Sequence, residues 1–167
     1  HHCREQGKRL RVLWLDAHAD FNTNALTPSG NVHGMPVACL CGHGPRPLVD
    51  IGGTVPAIDP RWIRQIGIRS VDAGEKQFVH EAGLEVFDMR FIDELGMRHT
   101  MELALATMDP GTHLHVSFDV DFLDPEIAPG VLRHADASGL ARPDNWAPGA
   151  GLPPPSRVGA PSGATTN

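Results

Sequence analysis

Nowhere does the chain hold the run of about eighteen apolar residues that a membrane-crossing helix needs, and no secretory leader opens it. A soluble, cytoplasmic protein is the expectation. Cysteine is scarce as well: Cys3, Cys39 and Cys41 make an odd number, and Cys39-Leu40-Cys41 lacks the CxxC spacing of a zinc or thiol-redox site. Free, reduced thiols follow, which suits an intracellular chain. Positive charge is not in excess. A net charge of -6 argues against nucleic acid or an anionic membrane surface as partner, and suits a cationic small molecule. The last stretch, 131 to 167, lacks Ile, Phe and Met, repeats Ala, Gly, Pro, Arg and Ser, and includes Pro153-Pro154-Pro155. Such a composition cannot bury enough apolar surface to offset the entropy of ordering, so disorder is expected there.

What remains has the content of one ordinary domain. Residues 11 to 15 read as a buried strand after the basic lead-in Lys8, Arg9, Arg11, and residues 63 to 68, 84 to 87 and 114 to 118 read as three more. The polar stretch from Asp16 to Gly34 is long for a loop in a compact domain, which marks it as functional. Helices are predicted from Pro36 to Leu40, with proline in the first turn, up to about Ala82, and from Arg90 to Met108. In the last of these, Ile92, Leu95, Leu103 and Ala106 share one stripe and Met101, Leu105 and Met108 a second, so cover from more than one side is expected. Strands alternating with helices predict an α/β three-layer domain with a largely parallel sheet. Ligands in such sheets gather at the carboxyl ends of the strands.

Two acidic motifs fall at such ends. Asp16-Ala17-His18-Ala19-Asp20 follows the first strand and Asp119-Val120-Asp121 follows the last. Either alone reads more readily as a solvated turn; together, each after a strand, they favour a metal site. In one cleft, the carboxylates of Asp16, Asp20, Asp119 and Asp121 would repel and raise one another's pKa unless cations neutralised them. Two divalent ions balance four negative charges. Oxygen donors with one imidazole favour Mn²⁺, with Fe, Co and Zn as alternatives. Such a pair can activate water toward an electrophilic carbon or phosphorus, so hydrolysis is the reaction class. His33 reads either as a surface loop histidine or as a proton shuttle.

DAHADFNT, SGNVHGMP, GIRSVDAGE and SFDVDFLDP occur in this order, and from about Arg11 to Gly130 the chain closely resembles the arginase branch of the ureohydrolase family. The resemblance implies an α/β fold with a parallel sheet and a dinuclear manganese cluster at the strand ends. It implies Asp16, His18, Asp20, Asp119 and Asp121 as metal ligands, with Asp16 and Asp119 bridging. His33 and Asp20 take the catalytic roles. Asn22 and Ser29 match residues that recognise the substrate α-carboxylate, and Asp72 and Glu75 those around its α-amino group. The implied reaction is attack of a metal-bridging hydroxide on the guanidinium carbon of L-arginine, giving L-ornithine and urea. Trimers or hexamers are the family's assemblies.

Two departures shape the expectations. The family's further metal-ligating histidine, in a Gly-Gly-Asp-His-type motif, has no counterpart here, and His1-His2-Cys3 opens the chain as an internal stretch would. After Pro129-Gly130 the family's Gly-rich turn and guanidinium-binding glutamate are replaced by Val131-Leu132-Arg133-His134 and the tail. A partial catalytic domain over 1 to 130, a non-homologous tail over 131 to 167 arising from a frameshift, and impaired activity are therefore expected. So are exposed sheet edges that favour aggregation and make the family's assembly doubtful. Agmatinase or another guanidino hydrolase, a binuclear metallophosphoesterase, and an inactive metal-binding remnant are the rival readings. Asn31-Val32-His33-Gly34 departs from the Gly-Asn-His-Asp/Glu motif that the phosphoesterase needs.

Overall fold

The computed structural model describes residues 1–128. Four parallel strands form one sheet: β1 (Arg9–Leu15), β2 (Ile63–Ile68), β3 (Glu85–Asp88) and β4 (Thr112–Phe118), in the order β3-β2-β1-β4. Around them lie α1 (His2–Glu5), α2 (Pro36–Leu40), α3 (Arg46–Val49), α4 (Ala73–Ala82), α5 (Met89–Leu95) and α6 (Met97–Leu105). The sheet has two apolar faces because successive side chains of a strand point to opposite sides. Val12, with Ile63 and Ile68, packs against Val37 and Ala38 of α2 and Val79 of α4. Leu13, with Ile66 and Phe87, packs against Ile92 of α5 and Ala104 of α6. These are the three layers the alternation of strands and helices predicts.

Ile66 and Ile68 are two apart yet face opposite cores. Gly67 is the extra residue of a bulge in the β2–β3 register, with φ +89°, and it resets the strand's facing. It also admits a close neighbour: a Cβ at this position would stand 2.4 Å from Cε2 of Phe122.

The expected single helix from Arg90 to Met108 is two. Gly96, at φ 83° and ψ 151°, separates α5 from α6, and Asp88 starts α5 by accepting the Phe91 N–H at 2.7 Å. The break resets the helical register, so Leu95 and Leu103 of the expected buried stripe are exposed while Thr100 is buried. β4 carries an exposed edge of the kind expected of this sheet. It is a sheet edge among the described residues, and Leu114, Val116 and Phe118 stand open, Val116 at 51%. Arg11, read as part of a basic lead-in, is instead 1% exposed; its guanidinium donates to Thr107 Oγ1 at 2.7 Å and lies over the Trp62 ring. The expected disorder of 131–167 and the domain boundary at 130 lie outside the described residues. No helix among those described is long and apolar enough to cross a membrane.

Candidate metal centre

The strand order reverses between β1 and β4. The chain steps outward from β1 to β2 to β3, then returns to the other side of β1, which leaves a crevice at the carboxyl ends of β1 and β4. Both acidic motifs emerge there. The Asp119 N–H donates to Leu15 O at 2.9 Å, extending the β1–β4 pairing into the second motif, and the Asp16 N–H donates to Ile66 O at 3.2 Å. A direct tie joins the motifs: the Ala17 N–H donates to Asp121 Oδ1 at 3.2 Å.

Three donors converge in the crevice. Asp16, His18 and Asp121 each offer a ligand atom, and these atoms lie within 4.8 Å of one another. Asp16 is 2% exposed; its Oδ1 accepts the His18 N–H at 2.7 Å and its Oδ2 the Trp14 indole N–H at 3.1 Å. His18 Nδ1 lies 3.0 Å from Asp121 Oδ2 and 3.4 Å from Asp16 Oδ1. Burial holds the Asp16 carboxyl above the ordinary range, against the His18 hydrogen bonds. Hydrogen bonds to Asp121 and then to Asp16 push His18 up to about 10. Burial raises Asp121 too, but the His18 hydrogen bond and charge outweigh it and leave that carboxyl below the ordinary range. Two carboxylates and an imidazole, sealed at one end and open at the other, are a donor set that fits a divalent cation of the Mn²⁺–Zn²⁺ type.

The remaining expected ligands stand outside this cluster. Asp20 adopts φ 50°, and burial, then the neighbouring Asp16 charge, push its carboxyl up to about 8. Asp119 turns back on its own chain, its Oδ1 accepting the Asp121 N–H at 3.0 Å. His33 is exposed on a 3-10 turn, Val32–Gly34, at the rim of an apolar cleft of about 430 Å³ lined also by Pro36, Cys39, Leu40 and Leu48.

Of the expected substrate contacts, Asn22, Asp72 and Glu75 come together and Ser29 does not. Asn22 is buried and its amide donates to Asp72 Oδ2 at 3.0 Å, leaving Asn22 Oδ1 without a hydrogen-bond partner among the described residues. Glu75 is 4% exposed and closes a capping box at the start of α4, accepting the Asp72 N–H at 3.2 Å and the Phe21 N–H at 2.8 Å. The Ser29 hydroxyl bonds within its own loop, to Thr27 and Asn31. Sequence reasoning assigned nothing to Gln65 or Arg69. Gln65, fully buried on β2, donates to Ala19 O inside the first motif. An amide fully buried in the middle of a strand is a signal that points to such a bond.

The model of the family described as "Arginase family" matches residues 1–140. The arginase of Bacillus caldovelox is 47% identical over 125 residues, which are 74% of this chain and 42% of that protein. The arginase of Agrobacterium fabrum is 47% identical over 129 residues, 76% of this chain and 39% of that one. The crystal structure of arginase from Bacillus cereus superposes with a TM-score of 0.70 at 43% identity, covering 73% of this chain and 42% of that one. The chain spans about two fifths of the length of these relatives. Similarity in sequence and in three-layer architecture, together with the convergence of DAHAD and SFDVD at the β1–β4 crevice, shows that the chain belongs to the arginase family.

Proposed function

We propose that this chain carries the metal-binding part of a hydrolase acting on the guanidinium group of L-arginine, releasing L-ornithine and urea. The observation that carries the reading is the meeting of Asp16, His18 and Asp121 donor atoms within 4.8 Å at the strand switch point. Asp16, His18 and Asp121 would hold Mn²⁺, with Asp20 and Asp119, on the same two motifs, as the further ligands of a second ion. Bound there, divalent ions supply the Lewis acidity that makes water a nucleophile near neutral pH.

The chain's own groups account for the rest. A guanidinium is protonated at any physiological pH, and the crevice collects acidic side chains that suit a cation. Asp20 sits among negative neighbours, Asp16, Glu75 and Asp119, that outnumber the His18 cation, so an arriving positive charge relieves it. Asn22 and Asp72 present hydrogen-bonding atoms beside one another at the mouth of α4, in reach of the polar end of an amino acid. His33, exposed to solvent, is suited to pass a proton out of the site.

The test uses the full 167-residue chain. Mn²⁺ binding is measured first, and then urea release from arginine and from agmatine, which lacks the α-carboxylate. Mn²⁺ uptake with urea from arginine alone supports the proposal; urea from agmatine in preference transfers it to the agmatinase reading. Bound metal without product leaves a metal-binding remnant, and a chain that takes up no divalent metal refutes the proposal.

A further inference from the structure

The ligand motifs lie a hundred residues apart in the chain, and one residue that ligates nothing touches both. The backbone N–H of Arg69 donates to Ala17 O at 2.9 Å, as does that of Ser70, which also pairs with His18 in a parallel bridge. The guanidinium of the same Arg69 reaches the other motif. Its Nη2 donates to Asp121 O and to Leu123 O, the latter at 3.2 Å, and its Nη1 to Phe122 O at 3.3 Å.

Three consecutive carbonyls converging on one cation are a strong constraint. Asp121, Phe122 and Leu123 form and close a 3-10 turn, Val120–Phe122, whose last carbonyls have few partners of their own. A planar guanidinium with five fixed donors can satisfy several carbonyls at once, whereas a lysine ammonium offers one nitrogen. The same turn needs room at Gly67, where the Phe122 ring occupies the place a Cβ would take. Gly67 and Arg69 therefore act on the same turn from the same strand end, one by leaving room and the other by gripping.

We propose that Arg69 is a positioning residue of the metal centre, a clamp whose backbone fixes the first ligand motif and whose guanidinium fixes the second. Resting on the metal-centre reading above, the clamp sets the distance between the His18 and Asp121 donors without touching the ion. The arginine's position immediately beyond β2, at the carboxyl end of the sheet, is what lets one residue span both motifs.

The experiment uses the full chain, its Arg69→Lys and Arg69→Ala variants, and Mn²⁺ alone as probe. Free Mn²⁺ is followed by electron paramagnetic resonance during titration, and amide hydrogen exchange is measured on the metal-free proteins. Loss of a group that orients metal ligands weakens metal affinity by about 10- to 100-fold. Arg69→Ala is expected in that range, with faster exchange confined to residues 17–18 and 119–123 and unchanged exchange in β2 and β3. Arg69→Lys is expected between it and the unsubstituted chain in both readouts. Unsubstituted affinity in Arg69→Ala overturns the proposal. So does weaker Mn²⁺ binding with unchanged exchange at 119–123, because charge rather than position would then be responsible. Global unfolding of both variants without metal also overturns it, assigning Arg69 to the scaffold at large. If the unsubstituted chain takes up no Mn²⁺, the metal-centre reading fails on that result, and the exchange pattern alone decides the clamp.

Discussion

Glu75 ties the start of α4 to the residue that follows the first ligand motif, and its charge is held where charge is disfavoured. The carboxyl is 4% exposed, and burial pushes it up to about 7 even though it accepts the backbone N–H groups of Phe21 and Asp72. In the unfolded chain it returns to about 4.5. Between those two values the folded protein keeps a proton that the unfolded chain has lost, so stability falls as pH rises through this window and is level above it. At about 1.4 kcal/mol per tenfold change in proton affinity, the full loss is about 3 kcal/mol. Glu75→Gln removes the titration. The amide oxygen keeps one backbone donor while the NH₂ faces the other, at a cost of about 1 to 3 kcal/mol. The variant should therefore be the less stable protein near pH 5 and should draw level with, or pass, the unsubstituted chain near pH 8. Urea unfolding followed by tryptophan fluorescence, with chelator present throughout, measures both curves. Groups that titrate alike in the two proteins cancel in their difference. A difference that stays constant from pH 4.5 to 8 would refute the reasoning.

Gly67→Ala places a methyl against the Phe122 ring at a backbone φ of +89°, and should destabilise by about 2 to 4 kcal/mol, from strain and overpacking together. Adding Phe122→Ala should recover the overpacking part alone, and a neutral Gly67→Ala in thermal unfolding would show that the ring moves aside freely. Phe21→Ala empties a fully buried site packed on Phe78 and His43, with an expected loss of about 3 to 5 kcal/mol in urea unfolding; a loss under about 1 kcal/mol would contradict the packing. Val116→Lys puts a charge in the middle of the exposed β4 edge and should lower self-association in sedimentation while shifting stability by no more than about 0.5 kcal/mol. Unchanged sedimentation would mean that this edge is not the contact.

The strands were legible because each is a short apolar run with a polar stop, and the two acidic motifs because carboxylates at alternate positions directly after such runs have no packing purpose. Other features depend on what the chain meets in three dimensions. Gly96 sits inside a sequence with helical period, and only its backbone angles separate a tolerated glycine from a break. Arg11 reads as a solvated lead-in until Thr107 and Trp62 arrive from other elements to receive it. Whether β4 is an edge is a property of strand order, since the same residues would be covered in a central strand. Asp119 and Asp121 are indistinguishable by spacing, yet one carboxylate accepts from the backbone N–H of the other while the other meets His18. For Glu75, the DAGE stretch announces a capping box as clearly as a substrate contact, and in the folded chain the cap holds one of its oxygens and the Phe21 N–H the other.

Carboxylates gathered in one crevice repel one another, and the way these ones are supported ties the cluster to three strands of the sheet. Three of the acids accept backbone N–H donors, Asp16 and Asp119 within turns they help to make, from His18 and Asp121, and Asp121 from Ala17 of the opposite motif. These donors are fixed by the loops, so the acids are pre-oriented. His18 Nδ1 lies within reach of both Asp16 and Asp121 and joins the two motifs from the side of the first. Neither motif has this support alone. Asp121 relies on Ala17, and Ala17 is in turn held through its carbonyl by Arg69 and Ser70 at the end of β2. The arrangement of the three donors thus depends on three adjacent strand ends, β2, β1 and β4, and a change at β2 that leaves Asp16, His18 and Asp121 intact is expected to alter it.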